Sequence, residues 1–526
     1  IFNDKIYPRD RQLFGSEWTP GIDCDPHLYV LHTSNTSAGG YFNSEDEYTT
    51  AVRPDSNEHE MFYIDLEGVG GPQIVGVGYY MSTLAHELQH MIHFHIDRNE
   101  DTWVNEGLSV LAQFLNGYEI GGYDAIFADE PNTQLDFWPE GGGEGVNYGA
   151  AFTFWLYFYD KFGEKGITDL VADPLNGLDG VAAALKQVGY NGTVDDFFAN
   201  WVVAKYLNKP TLADGRYGFT KSSPPLAATE PLIKSYPFNQ HNSVQLDAAK
   251  YFPFRGSHDI TINFTGSTKA LMIPARPHSG QNFMWSNRGD STDLSLTHEF
   301  DLTSVKSATL NYSAWYSLED QWDYGYVDVS EDGGQTWKIL KTPSGTDSDP
   351  NHNSFGWGYT GASGGNKSNP VWLPQSVDLS AYAGKKILVG FEVVNDLAVN
   401  LPGLAIDDVS IPEINYKTDF ETDNGGWQSA GWVRTDNFVP ENYIVQLISF
   451  GKDGSTSVTR LPMNADNTGQ WNIPLSTLNQ AVIAVSATAP KSSETAYFNW
   501  SGQENSVNQP GVSEGPGSIL RIVNPH

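Results

Sequence analysis

The chain has little cysteine, few basic residues and no long apolar runs. Cys24 is the one cysteine in 526 residues, so no internal disulfide can form and no cysteine cluster can bind metal. No uninterrupted apolar run approaches the ~18 residues that a membrane-spanning helix needs. Lysine and arginine number 30 against 64 aspartates and glutamates, which gives a net charge of −34. This charge argues against nucleic acid as a partner and suits an extracellular surface that holds divalent cations.

Glycine and aromatic residues are plentiful, with 52 glycines and 13% aromatics. Such a composition is typical of β-sandwich proteins, and at ~150 residues per domain the length predicts three or four domains. Because the sequence begins with Ile1 rather than methionine, we expect a signal peptide or a pro-segment upstream.

The hydrophobic pattern changes near residue 210. Before that point apolar residues recur at helical spacing, and two short strand-like runs at 28–34 and 61–67 precede the helices. The predicted helices cover 78–97, 103–116, 147–162, 178–188 and 193–207. We therefore predict an α+β domain over residues 1–210, followed by a proline-rich linker or extended crossing over 211–240.

Beyond the linker the helical period disappears and alternating strands take its place. ATLNYSAWY (308–316), YGYVDVS (324–330) and KILVGFEVV (386–394) are examples. We predict two antiparallel β-sandwich domains, one over 241–413 and one over 414–526, the second ending in a polar tail.

Residues 86–90 read His-Glu-Leu-Gln-His inside the predicted helix 78–97. Positions i and i+4 lie on one helix face, so His86 and His90 can present two imidazoles to one metal ion. Glu87 lies beside them, placed to hold the water of the metal rather than the metal. This is the arrangement of zinc hydrolases, and the alternative is a helix with surface histidines.

A catalytic zinc needs a third protein ligand. The metzincin pattern requires a glycine at position 93 and a histidine at position 96, but the chain has His93 and Ile96. His93 and His95 remain nearby, either as ligands or as packed histidines. Glu106, in WVNEGLS, is the better third ligand, since the loop between two helices can fold it back across the first helix. The alternative for Glu106 is an ordinary acid in the first turn of a helix.

The sequence also carries a family resemblance. HELQH followed by WVNEGLS is similar to the gluzincin metallopeptidases, and SNEHEMFYID with STLAHELQHMIHF resembles the hyicolysin-like peptidases. SNRGD, WYSLEDQWDYGYVDVSEDGGQTW and GLAIDDVSIPE resemble the companion domain of immune inhibitor A-type secreted bacterial peptidases. The two halves thus point to different relatives, since immune inhibitor A itself has another sequence around its zinc motif.

The resemblance implies a zincin-like, thermolysin-like catalytic domain and jelly-roll or MAM-like sandwiches. It also implies that Tyr148 stabilises the oxyanion, the alternative being a buried aromatic residue. Thermolysin-type enzymes place an acid four residues after the glutamate ligand, and here that position is Val110. The groups that orient the histidines must therefore come from elsewhere, with Asp97, Asp101 and Asn105 as candidates.

Calcium is the second metal that the resemblance implies. Glu319, Asp323, Asp407 and Asp408 lie at predicted strand edges and are its candidate ligands, the alternative being solvated acids.

We predict a secreted zinc endopeptidase that acts on protein or peptide substrates, with Glu87 as general base. A zinc aminopeptidase is one alternative, although no acidic anchor for a free amino terminus precedes the helix. The other is a glycan- or cell-surface-binding protein with a vestigial zinc site, in which exposed tryptophans such as Trp357 and Trp372 stack on sugars.

Overall fold

The computed structural model describes residues 1–34, 38–68, 71, 75–140 and 143–505. Helices occupy the part of the described chain up to residue 207, and antiparallel sheets follow it. Among the described residues, no helix combines the length and the apolar composition that crossing a bilayer requires. The predicted polar tail falls mainly on residues 506–526, which lie outside the described residues.

The helical part contains all the α-helices found in the described residues. They are α1 (Tyr7–Phe14), α2 (Gly78–Ile96), α3 (Thr102–Leu115), α4 (Tyr123–Asp129), α5 (Gly145–Val171), α6 (Gly177–Gln187) and α7 (Val194–Leu207). Sequence periodicity predicts five of them, and it misses α1 and α4, which are too short to show a repeating apolar face.

Local signals set the helix ends. Gly163 interrupts α5 with a φ of +72°, which ends the continuous helix where the sequence predicted. Thr193 caps α7 by accepting a hydrogen bond from Asp196 N, and Asn116 followed by Gly117 ends α3.

A small sheet lies against α2. Its strands are β1 (Tyr29–Thr33), β2 (Gly40–Phe42) and β3 (Met61–Asp65), in the order β1-β3-β2. β1 runs parallel to the fully buried β3, whereas β2 is antiparallel to it and forms the edge. This edge strand contacts the helix that carries the HELQH motif.

Residues 238–271 form the next four strands. They are β4 (Phe238–Gln245), β5 (Lys250–Phe254), β6 (Ile260–Gly266) and β7 (Lys269–Leu271). Before them, the predicted linker is an extended crossing that hydrogen-bonds to both sides, from Ala227 N to Lys205 O and from Glu230 N to Tyr251 O.

Residues 283–435 build a β-sandwich, here called the inserted sandwich. Its strands are β8 (Phe283–Trp285), β9 (Asp293–Asp301), β10 (Thr309–Ser317), β11 (Tyr324–Ser330), β12 (Lys338–Ile339), β13 (Leu373–Asp378), β14 (Lys386–Val394), β15 (Gly403–Ile411), β16 (Tyr416–Thr418), β17 (Gln428–Ala430) and β18 (Val433–Thr435). One sheet has the order β13-β10-β15-β8-β18 with β16 beside β15, and the other has the order β12-β11-β14-β9-β17.

The last strands of the described chain pair with β4–β7, the strands that directly follow the linker. They are β19 (Phe438–Pro440), β20 (Asn442–Gly451), β21 (Thr456–Arg460), β22 (Thr468–Ile473), β23 (Leu478–Thr488) and β24 (Thr495–Glu504). Together they form the sheets β21-β20-β23-β5 and β22-β6-β24-β4, while β19 pairs with β7. We call this second unit the split sandwich.

This pairing differs from the domain division that the sequence suggests. The strands at 238–271 belong with those at 438–504, so the predicted domains 241–413 and 414–526 each combine strands of two sandwiches. The inserted sandwich lies between the two halves of the split one. Alternation along a strand shows which face is buried but says nothing about its partner strand, and for this reason the boundary was misplaced.

The split sandwich shares a core with the helices. On β20, Val445 faces the sandwich interior, whereas the neighbouring Ile444 and Ile448 join the core of the helical part. Gln446 donates to Ala199 O of α7 at 2.9 Å, and Tyr251 donates to Val202 O at 2.7 Å. β20 is therefore buried on both faces, which explains its nearly continuous apolar sequence.

Candidate active site

α2 and α3 bring the two motif histidines and Glu106 together. The rings of His86 and His90 lie 4.7 Å apart between centroids on one face of α2. The Glu106 carboxylate is 3.1 Å from His86 Nε2 and 3.6 Å from His90 Nε2. One ligand-type atom of each residue lies within 4.8 Å of the others. The sequence-predicted ligand set is thus one cluster in space.

Gly107 allows this close approach. A Cβ atom at this position would lie 2.6 Å from Trp155 Cδ1 and 2.7 Å from Ala151 Cβ of α5. α3 therefore packs against α5 through a position without a side chain, while the preceding residue, Glu106, faces α2.

Amide side chains hold the outer nitrogens of both histidines. His90 Nδ1 lies 3.0 Å from Asn105 Oδ1, and His86 Nδ1 lies 3.4 Å from Gln113 Oε1. Gln113 in turn donates to Ser82 Oγ at 2.8 Å. A proton on each Nδ1 leaves each Nε2 lone pair directed toward Glu106, which is the tautomer that a metal ligand needs.

Asn105 was one of three candidates for this orienting role. Asp97 and Asp101 make neither of these contacts. Gln113 was not predicted, although its spacing of seven residues from Glu106 places both on one face of α3. This helical spacing was the sequence signal that could have identified Gln113 as an orienting residue.

The charges within the cluster depend strongly on one another. Burial disfavours the charged form of His90, but the Glu106 carboxylate outweighs burial and raises the pKa of His90 to about 9. Burial likewise opposes charge on Glu106, but His90 and His86 outweigh it and lower the pKa of Glu106. The carboxylate is therefore ionised and faces two nitrogen donors.

Glu87 points from α2 toward the edge strand of the small sheet. Its Oε2 accepts a hydrogen bond from Phe42 N of β2 at 2.9 Å, and the residue is only 5% exposed. Burial raises the pKa of Glu87, against the opposing effect of His86 and His90. Glu87 thus stands next to the ligand cluster without belonging to it.

Tyr148 lies in the first turn of α5 and faces the same cluster. Its ring centroid is 6.4 Å from that of His86, and its ring stacks on Tyr123 at 5.0 Å. Burial and then the charge of Glu106 raise the pKa of Tyr148 well above its usual value. The hydroxyl is therefore a neutral donor at the edge of the site.

A cleft of about 240 Å³ joins these groups. Its walls come from β2, α2, α3 and the start of α5, and one wall is formed by Leu397 and Ala398 of the inserted sandwich. Val399 N donates to Thr102 Oγ1 next to that wall, so the sandwich is hydrogen-bonded to the first turn of α3. An extended chain can enter the cleft beside β2.

The donor set fits a zinc ion. Two imidazole nitrogens and one carboxylate oxygen are the ligands of thermolysin-type catalytic sites, which leave a fourth position for water. The outer nitrogens held by Asn105 and Gln113 support this fit, because both rings are fixed with Nε2 facing Glu106.

The predicted calcium ligands lie in two separate places. Asp407 and Asp408 contact His278 and Ser279, with His278 Nδ1 2.7 Å from Asp408 Oδ2. Glu319 and Asp323 lie at another end of the inserted sandwich. There, Asp323 Oδ1 accepts from Asp396 N at 2.9 Å.

The predicted sugar-stacking tryptophans are less exposed than expected. Trp357 and Trp372 are both partly buried, and their indole N–H groups donate to Thr342 O and Arg276 O. Trp322 and Trp337, each 41% exposed, present more ring surface.

Residues 261–437 match the family described as immune inhibitor A-like, MAM domain. The inserted sandwich lies within this matched segment. This match confirms the resemblance that the sequence motifs in this part of the chain predict.

Curated relatives of the chain include two proteins that are metalloproteases by name. Immune inhibitor A of Bacillus thuringiensis subsp. alesti is 28% identical over 197 residues, which cover 36% of this chain and 26% of the relative. Neutral metalloprotease ShpI of Staphylococcus hyicus is 25% identical over 255 residues, which cover 44% of this chain and 56% of the relative. Pre-pro-metalloprotease PrtV of Vibrio cholerae serotype O1 is 25% identical over 174 residues, which cover 33% of this chain and 18% of the relative.

The chain spans between 18% and 56% of the length of these three relatives. Together with the domain match, they confirm the predicted resemblance to metalloproteases with an immune inhibitor A-like companion domain.

Proposed function

We propose that the protein is a secreted zinc-dependent endopeptidase with a thermolysin-like catalytic unit. The observation that carries the proposal is the cluster of His86, His90 and Glu106 beside Glu87 in an open cleft. The names of the metalloprotease relatives support the same reaction class.

In the proposed mechanism His86, His90 and Glu106 hold the zinc ion. When bound there, zinc supplies a Lewis acid that polarises the scissile carbonyl and lowers the pKa of a water to about 7. Glu87 accepts the proton of the attacking water and passes it to the leaving amine, which it can do because it lies beside the ligand cluster. The Tyr148 hydroxyl donates a hydrogen bond to the oxyanion of the tetrahedral intermediate.

β2 orients the substrate in this proposal. It is the antiparallel edge of the sheet, and its residues Gly40, Tyr41 and Phe42 line the cleft. A peptide that adds to this edge as a further strand places a carbonyl near the ligand cluster without requiring a free terminus. We therefore favour internal cleavage over removal of terminal residues.

The test compares wild type with Glu87→Gln at matched zinc content. Both are incubated with a denatured protein mixture, and the new termini are identified by mass spectrometry. We expect internal cuts by wild type and a loss of about 10²-fold or more in rate for the variant, since the general base is removed.

Release of single terminal residues by the wild type would instead support an aminopeptidase. If the folded, zinc-loaded wild type cleaves nothing, the peptidase proposal fails and the surface-binding alternative gains support.

Calcium is proposed for the inserted sandwich. Four acids act on one another there as like charges: Asp323 and Asp290 are buried, and Glu319 and Asp396 are partly buried. Lys367, a cation that acts on Glu319, is itself paired with Glu140 and Asp320. Carboxylate oxygens are the ligands that calcium prefers, so we propose this acidic end as a calcium site. At the other predicted location, ligand-type atoms of His278, Asp407 and Asp408 lie within 4.8 Å of one another.

A further inference from the structure

A second group of ligand-type side chains lies beside the candidate zinc site without sharing a residue with it. His93, Asp97 and Glu100 each offer one atom, and these atoms lie within 4.8 Å of one another. His93 is in the last turn of α2, Asp97 follows that helix, and Glu100 lies in the loop before α3. Asp97 and Glu100 also line the cleft.

Two atoms of this group have no hydrogen-bond partner. His93 is 1% exposed, and its Nε2 is buried without a partner among the described residues; the same holds for Asp97 Oδ2. A buried polar atom left without a partner destabilises the folded protein, so both atoms need an explanation.

The neighbours of His93 allow Nε2 to act as a ligand. Gln89 Nε2 lies 3.3 Å from His93 Nδ1, and Gln89 Oε1 accepts a hydrogen bond from Ser109 Oγ. A hydroxyl both donates and accepts, so the amide can turn its oxygen to Nδ1–H and its nitrogen to Ser109. His93 then keeps its Nε2 lone pair free, as a metal-ligating histidine does.

Within the described part of the chain, no lysine or arginine forms an ion pair with Asp97 or Glu100. Burial raises the pKa of Glu100 well above its usual value, and the charges of Asp101 and Asp97 raise it further. Burial also raises the pKa of Asp97, with Asp173 adding to the effect. A cation between the two carboxylates would offset the cost of burying their charged forms.

We propose that His93, Asp97 and Glu100 bind a second divalent metal ion of the zinc type, separate from the candidate catalytic ion. A mixed set of one nitrogen and two oxygens suits zinc and its transition-metal neighbours, whereas calcium and magnesium take oxygen ligands. No ligand is shared with His86, His90 or Glu106, so the two ions do not form a bridged pair.

The ion would fix the loop that positions α3. Glu100 Oε1 already accepts hydrogen bonds from Asp101 N and Gly177 N, both at 2.7 Å. Joining His93 and Asp97 to Glu100 ties the end of α2 to this loop and, through Gly177, to α6. Glu106 follows Glu100 by six residues. The second ion would therefore help to hold Glu106, the third candidate ligand of the catalytic ion, in position.

The test counts zinc in the full chain after the first site has been removed. The variant His86→Ala/His90→Ala is dialysed against zinc and then against buffer, and its metal content is measured by elemental mass spectrometry. We expect about one equivalent to remain, and we expect His93→Gln in that background to lose it. His95→Gln, an exposed histidine on the same helix turn, is the matched control and keeps the ion.

Two results would overturn the inference. The first is that the variant His86→Ala/His90→Ala retains no zinc although circular dichroism shows that it is folded. The second is that one equivalent of zinc remains bound after His93→Gln is added to that variant. If His93→Gln fails to fold, Asp97→Asn decides the question by the same count. Metal content does not depend on peptidase activity, so this test stands apart from that of the proposed function.

Discussion

The two candidate ligand histidines are each oriented by an amide oxygen rather than by a carboxylate. Asn105 and Gln113 take this role, and Val110 occupies the position where thermolysin-type enzymes place an acid. An amide fixes the ring as a carboxylate does but adds no negative charge, so the histidines are weaker bases than in a carboxylate–histidine pair.

Tyr148→Phe should lower kcat by about 10²-fold or more and leave KM and zinc content nearly unchanged. The hydroxyl lies beside the cluster and, in our proposal, acts on charge that develops only in the transition state. Steady-state kinetics on one peptide measures the effect. Tyr123→Phe, which keeps the ring that stacks on Tyr148, is the control; equal losses in both variants would argue against a role for the Tyr148 hydroxyl.

Gln113→Ala should weaken zinc binding by about 10- to 100-fold, because His86 loses the group that fixes its tautomer. Competition with a chromogenic chelator gives the affinity. Gln113→Glu keeps an acceptor oxygen at the same place and should largely restore binding. Unchanged affinity in Gln113→Ala would show that the 3.4 Å contact does not orient the ring.

At the scale of elements, a loop of the inserted sandwich holds the helix that carries Glu106. Asp290 Oδ2 accepts from Thr102 N at 2.8 Å and from Thr102 Oγ1 at 2.6 Å. An acid at the first turn of α3 also interacts favourably with the helix dipole. The sandwich thus contributes to the geometry of the candidate active site, besides lining its cleft.

The acidic end of the inserted sandwich should make stability depend on pH. Burial and then Asp396, Glu140 and Asp290 raise the pKa of Glu319 to about 8, while Lys367 opposes them. Burial raises the pKa of Asp396 to about 6. The folded state therefore binds more protons than the unfolded state between about pH 4 and pH 8, so stability falls as pH rises through that window.

Thermal unfolding of calcium-free protein between pH 5 and pH 8.5 checks this expectation. The unfolding midpoint should fall with rising pH, and added calcium should restore it more than magnesium does. Glu319→Gln should reduce the pH dependence, since it removes one of the groups whose pKa is raised. A midpoint that rises with pH in the same range, or one indifferent to calcium, would contradict the proposal.

Helix and strand positions could largely be predicted, because they depend on local signals. Thr193, Gly163 and Asn116 with Gly117 end or begin helices where the sequence indicates. α1 and α4 escaped prediction because seven or eight residues are too few to show a helical period.

At the scale of the whole molecule, the split sandwich closes the fold around an insertion. Leu271 and Phe438 lie opposite each other in the β7–β19 pair, so the chain leaves and re-enters the sandwich at one place. β5 and β6 depend on strands more than 200 residues away. The helical core also depends on them, because β20 and β23 cover it.

A chain that stops after residue 437 should fail to fold, because β5 and β6 lose their partners and the helical core is exposed. A chain in which a short glycine-serine turn replaces residues 272–437 should fold, since Leu271 and Phe438 are already neighbours. Soluble yield and cooperative thermal unfolding distinguish the two. A stably folded chain ending at 437 would refute the dependence of the helices on the split sandwich.

The sequence by itself determined the motif chemistry and the local elements. The four-residue spacing of His86 and His90 and the approximate limits of the longer helices follow from periodicity and capping within one chain segment. Glu106 was predicted because the loop between two helices can fold it back across the first helix. Only the tertiary structure decided which strands pair across the insertion, that Gln113 faces His86, and that His93 meets Asp97 and Glu100. Pairing and side-chain approach depend on how distant segments pack, and neither leaves a periodic signal in the chain.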